Sequence, residues 1–448
     1  MTGGDAIPLR EATKTWFAIS LQTFGGPAGQ IAVMHHKLVD EKRWIGQKRF
    51  MHALNYCMVL PGPEAQQLAI YVGWLLNGAP GGLIAGTLFV VPGVLAMLAL
   101  SVLYIGAGST AAVTGLFAGL APAVIAIVIQ AVHRVGTRAL HHPALVAMAI
   151  ASFLALAVFK APFPLVLLVA GLLGWLLGRL IPALAEGNGH EGATEGPEPL
   201  IGDDALHHEP PSRVRSAKVL ALGLILWFAP VAAAASLFTG SAVFVDQGLF
   251  FSGAAVVTFG GAYSVLSYVA DQAVNVYGWL NAGEMVRGLA LAETTPGPLI
   301  MVVQFVAFVG AYRNPGGLDP WMAAVLASLL VTWVTFVPCF LFIFLGAPYV
   351  ERLRQNRALT AVMTGITAAV VGVIANLAVF FALHNLFDRS RQLTWGPVDL
   401  ELPVPGSADP IALAITALAL GLIFWRKWST LRTLGACALV GLATALFG

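Results

Sequence analysis

The chain has 448 residues, of which 58% are hydrophobic and only 10% charged, and its net charge is +2. A soluble protein of this length carries roughly 25% charged residues, so the composition excludes a soluble globular enzyme and predicts an all-α integral membrane protein. The net charge of +2 says nothing about nucleic acid, and no nucleic-acid partner is expected; the partner the composition calls for is the lipid bilayer.

Taken in order, the first 16 residues are mildly polar, lack a basic stretch and lead directly into apolar sequence, which reads as something other than a cleaved signal peptide. A short helix is predicted over about 9–23, broken at Gly25-Gly26-Pro27, with Pro27 placed to start a second half-helix. A basic loop follows (Lys37, Lys42, Arg43, Lys48, Arg49). A second broken element spans about 47–76 and is interrupted at Pro61-Gly62-Pro63. Apolar segments at about 82–105, 111–133, 143–159 and 164–181 are each near the ~20 residues that cross a bilayer. Residues 186–216 are rich in Gly, Pro and charge and read as a flexible polar linker. An unpaired apolar helix falls within 217–245, after which two broken elements recur at about 247–275 and 282–311. Four more apolar segments follow, at about 321–345, 359–381, 411–425 and 431–447, giving about 13 hydrophobic segments in all.

The recurrence is numerical. Thr23-Phe24-Gly25-Gly26 returns as Thr258-Phe259-Gly260-Gly261, and Pro61-Gly62-Pro63 as Pro296-Gly297-Pro298, with 259 − 24 = 235 and 296 − 61 = 235. Trp44 and Trp279 keep the same offset, and the later Gly119/Gly365 and Pro92/Pro338 pairs keep one of 246, after an insertion near Asn314-Pro315-Gly316-Gly317. This predicts a duplication, with repeats at 1–185 and 246–448 joined by the linker and the unpaired helix. Broken apolar helices at matching positions of two halves point to a transport site. The Lys and Arg bias changes sides between the halves, so they are predicted to be inverted in the membrane. It fits best with re-entrant broken elements, a cytoplasmic N-terminus and an external C-terminus; fully crossing broken elements are the alternative.

The two Phe-Gly-Gly and two Pro-Gly-Pro motifs, together with Glu64-Ala65-Gln66-Gln67 and Ala292-Glu293-Thr294-Thr295, resemble the long-chain chromate ion transporters. The resemblance covers nearly the whole chain apart from the linker. It implies chromate efflux across the cytoplasmic (inner) membrane, with chromate resistance as the result and sulfate as the competing analogue. Cofactors are expected to be none, and a homodimer is the candidate assembly.

The residues themselves favour an anion. Broken helices end in N–H groups with partial positive charge, which are ready-made anion sites. Candidate substrate-binding positions are Gly25, Gly26, Gly260 and Gly261, then Pro61, Gly62, Pro63, Pro296, Gly297 and Pro298, with Gln66, Gln67, Tyr263, Thr294, Thr295 and Gln304 as donors. The plainer reading of the Gln and Thr side chains is that they satisfy backbone groups freed by each break. Glu64 and Glu293, each within apolar sequence beside a Pro-Gly-Pro, are the candidate proton-coupling pair; vestibule carboxylates, or a helix cap at Glu64, are the alternative. Cys57, Cys339 and Cys437 lie far apart in apolar runs and read as small buried hydrophobes, with no metal site.

Three classes follow. The first is a gradient-driven secondary transporter for chromate, or for sulfate or a related oxyanion by uptake or exchange. The second is an anion channel. The third is a membrane enzyme acting on a lipid phosphate, which needs a nucleophile–base or metal constellation that the loops do not carry. The coupling ion is a proton or another ion, and no Walker A motif is present to bind a nucleotide.

Overall fold

The computed structural model describes residues 7–108, 110–181, 184, 198–202, 206–207, 209–238, 242–350 and 356–447. Among the described residues the regular structure is helical apart from one β-hairpin. In the first half, α1 is Leu9–Ser20, α2 Gly26–His35, α3 Gln47–Cys57, α4 Glu64–Ala107, α5 Ala111–Ala139, α6 Pro143–Ala157 and α7 Phe163–Leu180. After α8 (Arg213–Leu237) come α9 (Ala242–Val256), α10 (Ala262–Asp271), α11 (Ala282–Thr294), α12 (Val302–Arg313, entered by a 3₁₀ turn Leu299–Met301) and α13 (Pro320–Gly346). The chain ends with α14 (Arg357–Leu386), α15 (Pro410–Leu420) and α16 (Thr430–Phe447). Among the described residues, six helices are long and apolar enough to cross a membrane and five shorter ones are apolar.

The starts of these helices are written locally. Pro27, Pro143, Pro320 and Pro410 occupy first-turn positions, where the missing N–H costs nothing. Asp319 and Asp409 accept from backbone N–H groups of the turns that follow them. Asn281 and Glu284 form a reciprocal capping pair at the head of α11.

The 44 residues of α4 are two helices. Asn77 and Gly78 leave helical geometry, with Gly78 at φ 60°, and the second limb folds back along the first. A Cβ on Gly73 would lie 2.5 Å from the Gly81 carbonyl oxygen, and one on Gly82 would lie 3.0 Å from that of Ile70. In the second half, α12 packs along α13 in the same way across the Asn314–Asp319 turn.

The helices cluster into two compact units, each drawing on both halves of the chain. Unit 1 takes residues 1–98, 188–262 and 295–356; unit 2 takes 99–187, 263–294 and 357–448. In unit 2, α5 packs along α16 and α14 along α7. The contacts are backbone-close at glycines 246 residues apart: a Cβ on Gly119 would fall 2.0 Å from the Cys437 carbonyl oxygen, and one on Gly365 would fall 2.5 Å from that of Ala170. The core of unit 1 around α1, α3 and the first limb of α4 includes Trp16, Phe50, Tyr56 and Tyr71.

Two expectations change. The all-α class lacks the antiparallel hairpin β1 (Ser390–Trp395) and β2 (Val398–Pro403), turned at Gly396–Pro397, where Gly396 supplies the positive φ of the tight corner. The linker is also less free than its composition suggests. Residues 185–197 lie outside the described residues, but Leu200 donates its N–H to the Arg43 carbonyl, and the Arg43 guanidinium donates to the Glu198 carbonyl. Leu206 is buried in the unit 1 core, the His207 ring meets Trp74 edge-on at 4.9 Å, and Glu209 pairs with Arg215. Leu206 in the core, Ile201 packed against it and these polar ties hold a strap that composition alone marks as mobile. The polar stretch also ends earlier than expected, since α8 begins at Arg213.

Candidate functional site

Each break is built on glycines that only a residue without a Cβ adopts comfortably. Gly25 and Gly26 have φ 80° and 72°, and their counterparts Gly260 and Gly261 have 71° and 96°. Gly62 and Gly297 match at 119° and 100°. The breaks are tied to one another across the repeats. The Gly62 N–H donates to the Thr258 carbonyl at 2.8 Å, and the Gly297 N–H donates to the Thr23 carbonyl at 2.9 Å. Since 62 + 235 = 297 and 23 + 235 = 258, the two bonds are the same bond made twice with the halves exchanged. The Gln30 amide adds a third tie by donating to the Gly297 carbonyl.

This knot, within unit 1, surrounds a small cavity lined by Pro27, Gln30, Pro63, Glu64, Ala65, Gly261, Ala262, Pro298, Leu299 and Ile300. They lie at or just before the starts of α2, α4, α10 and the 3₁₀ turn leading into α12, with Gln30 one turn into α2, so four half-helix N-termini converge on it. A Cβ on Gly261 would lie 4.0 Å from a Glu64 carboxylate oxygen. An ionised group taken from water costs several kcal/mol even after relaxation, and a helix end in a partly buried setting returns up to about 2 kcal/mol. One end does not hold a divalent oxyanion; four reach the right order, with side-chain donors making up the difference. The space is about 10 Å³, room for roughly one water by the criterion for hydrated cavities, so this conformation is closed around its centre.

The predicted site residues fall into three groups. Pro63, Glu64, Gly261 and Pro298 line the cavity. Pro61, Gly62, Gly297 and Gln67 hold the knot: Gln67 donates its amide to the Pro61 carbonyl, and the Gly62 and Gly297 N–H groups are engaged in the cross-repeat bonds rather than turned to an anion. Gln304 donates to the Val94 carbonyl, which is the plainer role weighed for it. Gln66 is fully buried, and among the described residues neither of its amide atoms has a hydrogen-bond partner. Thr294 turns its hydroxyl to the Leu291 carbonyl of its own helix, and Thr295 is buried. Tyr263 and Glu293 belong to unit 2, where the Tyr263 hydroxyl donates to the Glu293 carboxylate and both are buried. Gln30 is the residue sequence reasoning missed, because its counterpart 235 positions on is Val265 and a search by repeats passes over it.

Apolar spans, matched helix breaks and a small cavity ringed by helix starts define a multi-pass membrane transporter. A family model described as chromate transporter matches residues 10–175 and 245–442. The chain is 33% identical to a chromate transport protein of Pseudomonas aeruginosa, over 94% of both chains, and 27% identical to a chromate transport protein of Cupriavidus metallidurans, over 93% of both. An uncharacterised transporter of Bacillus subtilis is 28% identical over 30% of this chain and 68% of its own length. No solved structure matches the chain. The chain belongs to the chromate transporter family, in its long form, and is a transporter and not an enzyme.

Proposed function

We propose that this chain is a secondary active transporter that exports chromate across the cytoplasmic membrane, driven by an ion gradient, and so confers chromate resistance. The observation that carries the reading is the convergence of four half-helix N-termini on one cavity, tied by two cross-repeat bonds of equivalent position. That arrangement offers partial positive charge from several directions to a tetrahedral dianion. The two relatives named as chromate transport proteins supply the choice of anion. Sulfate has the same charge and shape, and it is the second cargo on that ground.

The proposed architecture is a pair of inverted repeats with re-entrant broken helices. The fold-back of α4 at Asn77–Gly78 supports it, because the second limb runs back along the first and the two do not form one continuous span. Contacts also join segments assigned to one side. The strap meets Arg43, and the ring of His133 meets that of Phe424 at 5.7 Å, all on the proposed cytoplasmic side. Asp399 donates to the Val158 carbonyl on the proposed external side. Glu64 and Glu293 are the proton-coupling groups, and Gln66 and Gln30 the side-chain donors nearest in sequence to the half-helix starts.

The test is radiolabelled chromate uptake into everted membrane vesicles with an imposed proton gradient, with and without excess sulfate. Gradient-dependent accumulation is expected. Equilibration without accumulation would favour a channel, and accumulation of sulfate alone would reassign the cargo.

A further inference from the structure

The first limb of α4 carries a polar stripe that the anion site does not use. Gln67, Tyr71 and Trp74 are four and three residues apart and so share one helix face, and Asn77 follows at the fold-back. At 1.5 Å per residue the stripe runs about 15 Å from the Pro-Gly-Pro break to the strap. Tyr56 of α3 lies against it, its ring 5.1 Å from that of Tyr71, which stacks on Trp74 at 5.8 Å. One face of α13 follows the same line: Cys339 Sγ would touch a Cβ on Gly62, and two turns later the Tyr56 hydroxyl occupies the space a Cβ on Gly346 would need.

All this lies in the core of unit 1, yet the stripe is full of unanswered polar atoms. Among the described residues, Gln67 Oε1, the Tyr56 hydroxyl, Trp74 Nε1 and Asn77 Oδ1 have no hydrogen-bond partner. Their residues are at most 5% exposed. Buried polar atoms are nearly always satisfied, and a native core satisfies such a set with internal water when protein partners are absent. The inner end of the stripe lies one helical turn from Glu64. Its outer end is the Trp74 ring, covered by His207 of the strap.

We propose that this stripe lines a file of internal water that conducts protons between Glu64 and the face of unit 1 covered by the His207 strap. The proposal rests on the reading of Glu64 as a proton-coupling group. The titratable groups along the file are Glu64, Cys57, Tyr56, Tyr71 and Cys339, and His207 at the outer end. A water file suits the task because hydroxyl, amide and indole groups orient water without binding the proton themselves, while the strap shields the outer end from bulk anions.

The experiment uses the full chain in proteoliposomes. Millisecond hydroxyl-radical footprinting labels side chains that touch bound water even when they are buried. Trp74 is expected to oxidise at least tenfold faster than Trp279, an indole of the second half with the same 3% exposure. Tyr56→Phe removes one hydroxyl and little else; it is expected to slow Trp74 labelling and anion-coupled proton movement by severalfold, and to lower the melting temperature. Equal labelling of Trp74 and Trp279, or a higher melting temperature in Tyr56→Phe, would mean a dry core and overturn the file. Fast labelling with wild-type proton movement in both Tyr56→Phe and Trp74→Phe would overturn conduction. Fast labelling with proton movement unchanged in Glu64→Gln would instead remove the coupling reading, which keeps the two failures distinct.

Discussion

Alanine at Gly62 or Gly297 tests the knot at its two equivalent points. At φ 119° and 100° an L-residue is strained, a cost of roughly 1–3 kcal/mol. At Gly62 the new Cβ would sit 2.9 Å from Gln67 Nε2 and 3.0 Å from Cys339 Sγ. The Gln67 amide must then leave the Pro61 carbonyl, adding about 0.5–1.5 kcal/mol for the lost hydrogen bond. At Gly297 the Cβ would sit 3.3 Å from Gly93 Cα, on backbone that cannot swing aside, adding overpacking of about 1–3 kcal/mol. Gly62→Ala is therefore expected to lose about 1.5–4.5 kcal/mol and Gly297→Ala about 2–6 kcal/mol, and each 1.4 kcal/mol is tenfold in population. Thermal unfolding of the purified protein reads the stability, and chromate flux in everted vesicles at matched protein level reads the function; flux should fall more than tenfold. In a Gln67→Ala background that hydrogen bond is already gone, so Gly62→Ala should there cost only the backbone strain and the Cys339 contact. Wild-type stability and flux in either single variant would refute the argument that these breaks need glycine.

Glu64→Gln and Glu293→Gln are expected to flatten the pH dependence of transport while membrane insertion is unchanged; wild-type pH profiles in both would remove proton coupling. Tyr263→Phe takes away the hydroxyl that donates to Glu293, and it should displace the pH midpoint of transport rather than abolish the dependence. Gly119→Ala and Gly365→Ala push a Cβ onto the Cys437 and Ala170 carbonyls, and each should cost about 1–3 kcal/mol by overpacking, seen as a lowered melting temperature. Arg43→Ala removes the clamp on the Glu198 carbonyl and should speed tryptic cleavage at Arg213 and Arg215, with no change expected if the strap is held by Leu206 alone.

The breaks were legible because each requires a residue type. Positive φ calls for glycine, proline cannot continue a helix from its own N–H, and the shared 235 offset made the pairing visible. The partners that close the knot were not legible. The Thr23 and Thr258 carbonyls are backbone groups with no side-chain signature, and which carbonyl meets which N–H is decided only by tertiary packing. Gln30 was hidden for the opposite reason, since its tie is one-sided. The hairpin did leave a trace: Leu393, Trp395, Val398, Leu400 and Leu402 alternate across a Gly-Pro corner, but two six-residue strands are easily lost among long apolar helices. The strap shows the limit of composition, because Leu206 in a core, with Ile201 packed against it, outweighs many polar neighbours.

That one-sided tie bears on how the cavity opens. On the proposed inverted arrangement, the cross-repeat bonds from Gly62 and Gly297 are equivalent, so breaking either costs about the same 0.5–1.5 kcal/mol. Two such openings would be equally populated, and the protein would have no intrinsic preference for either side. The Gln30 amide on the Gly297 carbonyl adds a bond to one of them, and Val265 provides none on the other. Opening on the Pro296-Gly297-Pro298 side is therefore the rarer by roughly two- to tenfold, the ratio that one neutral hydrogen bond sets. Removing the tie with Gln30→Val should erase the difference. Cysteines introduced as Ala65→Cys and Leu299→Cys, one in each wall of the cavity, report it by their rates of maleimide labelling, since Cys57, Cys339 and Cys437 are buried. In the Gln30→Val background, labelling at position 299 should rise two- to tenfold while labelling at position 65 stays constant. An equal rise at both positions would show that Gln30 braces the whole knot, and the asymmetry would have to arise elsewhere.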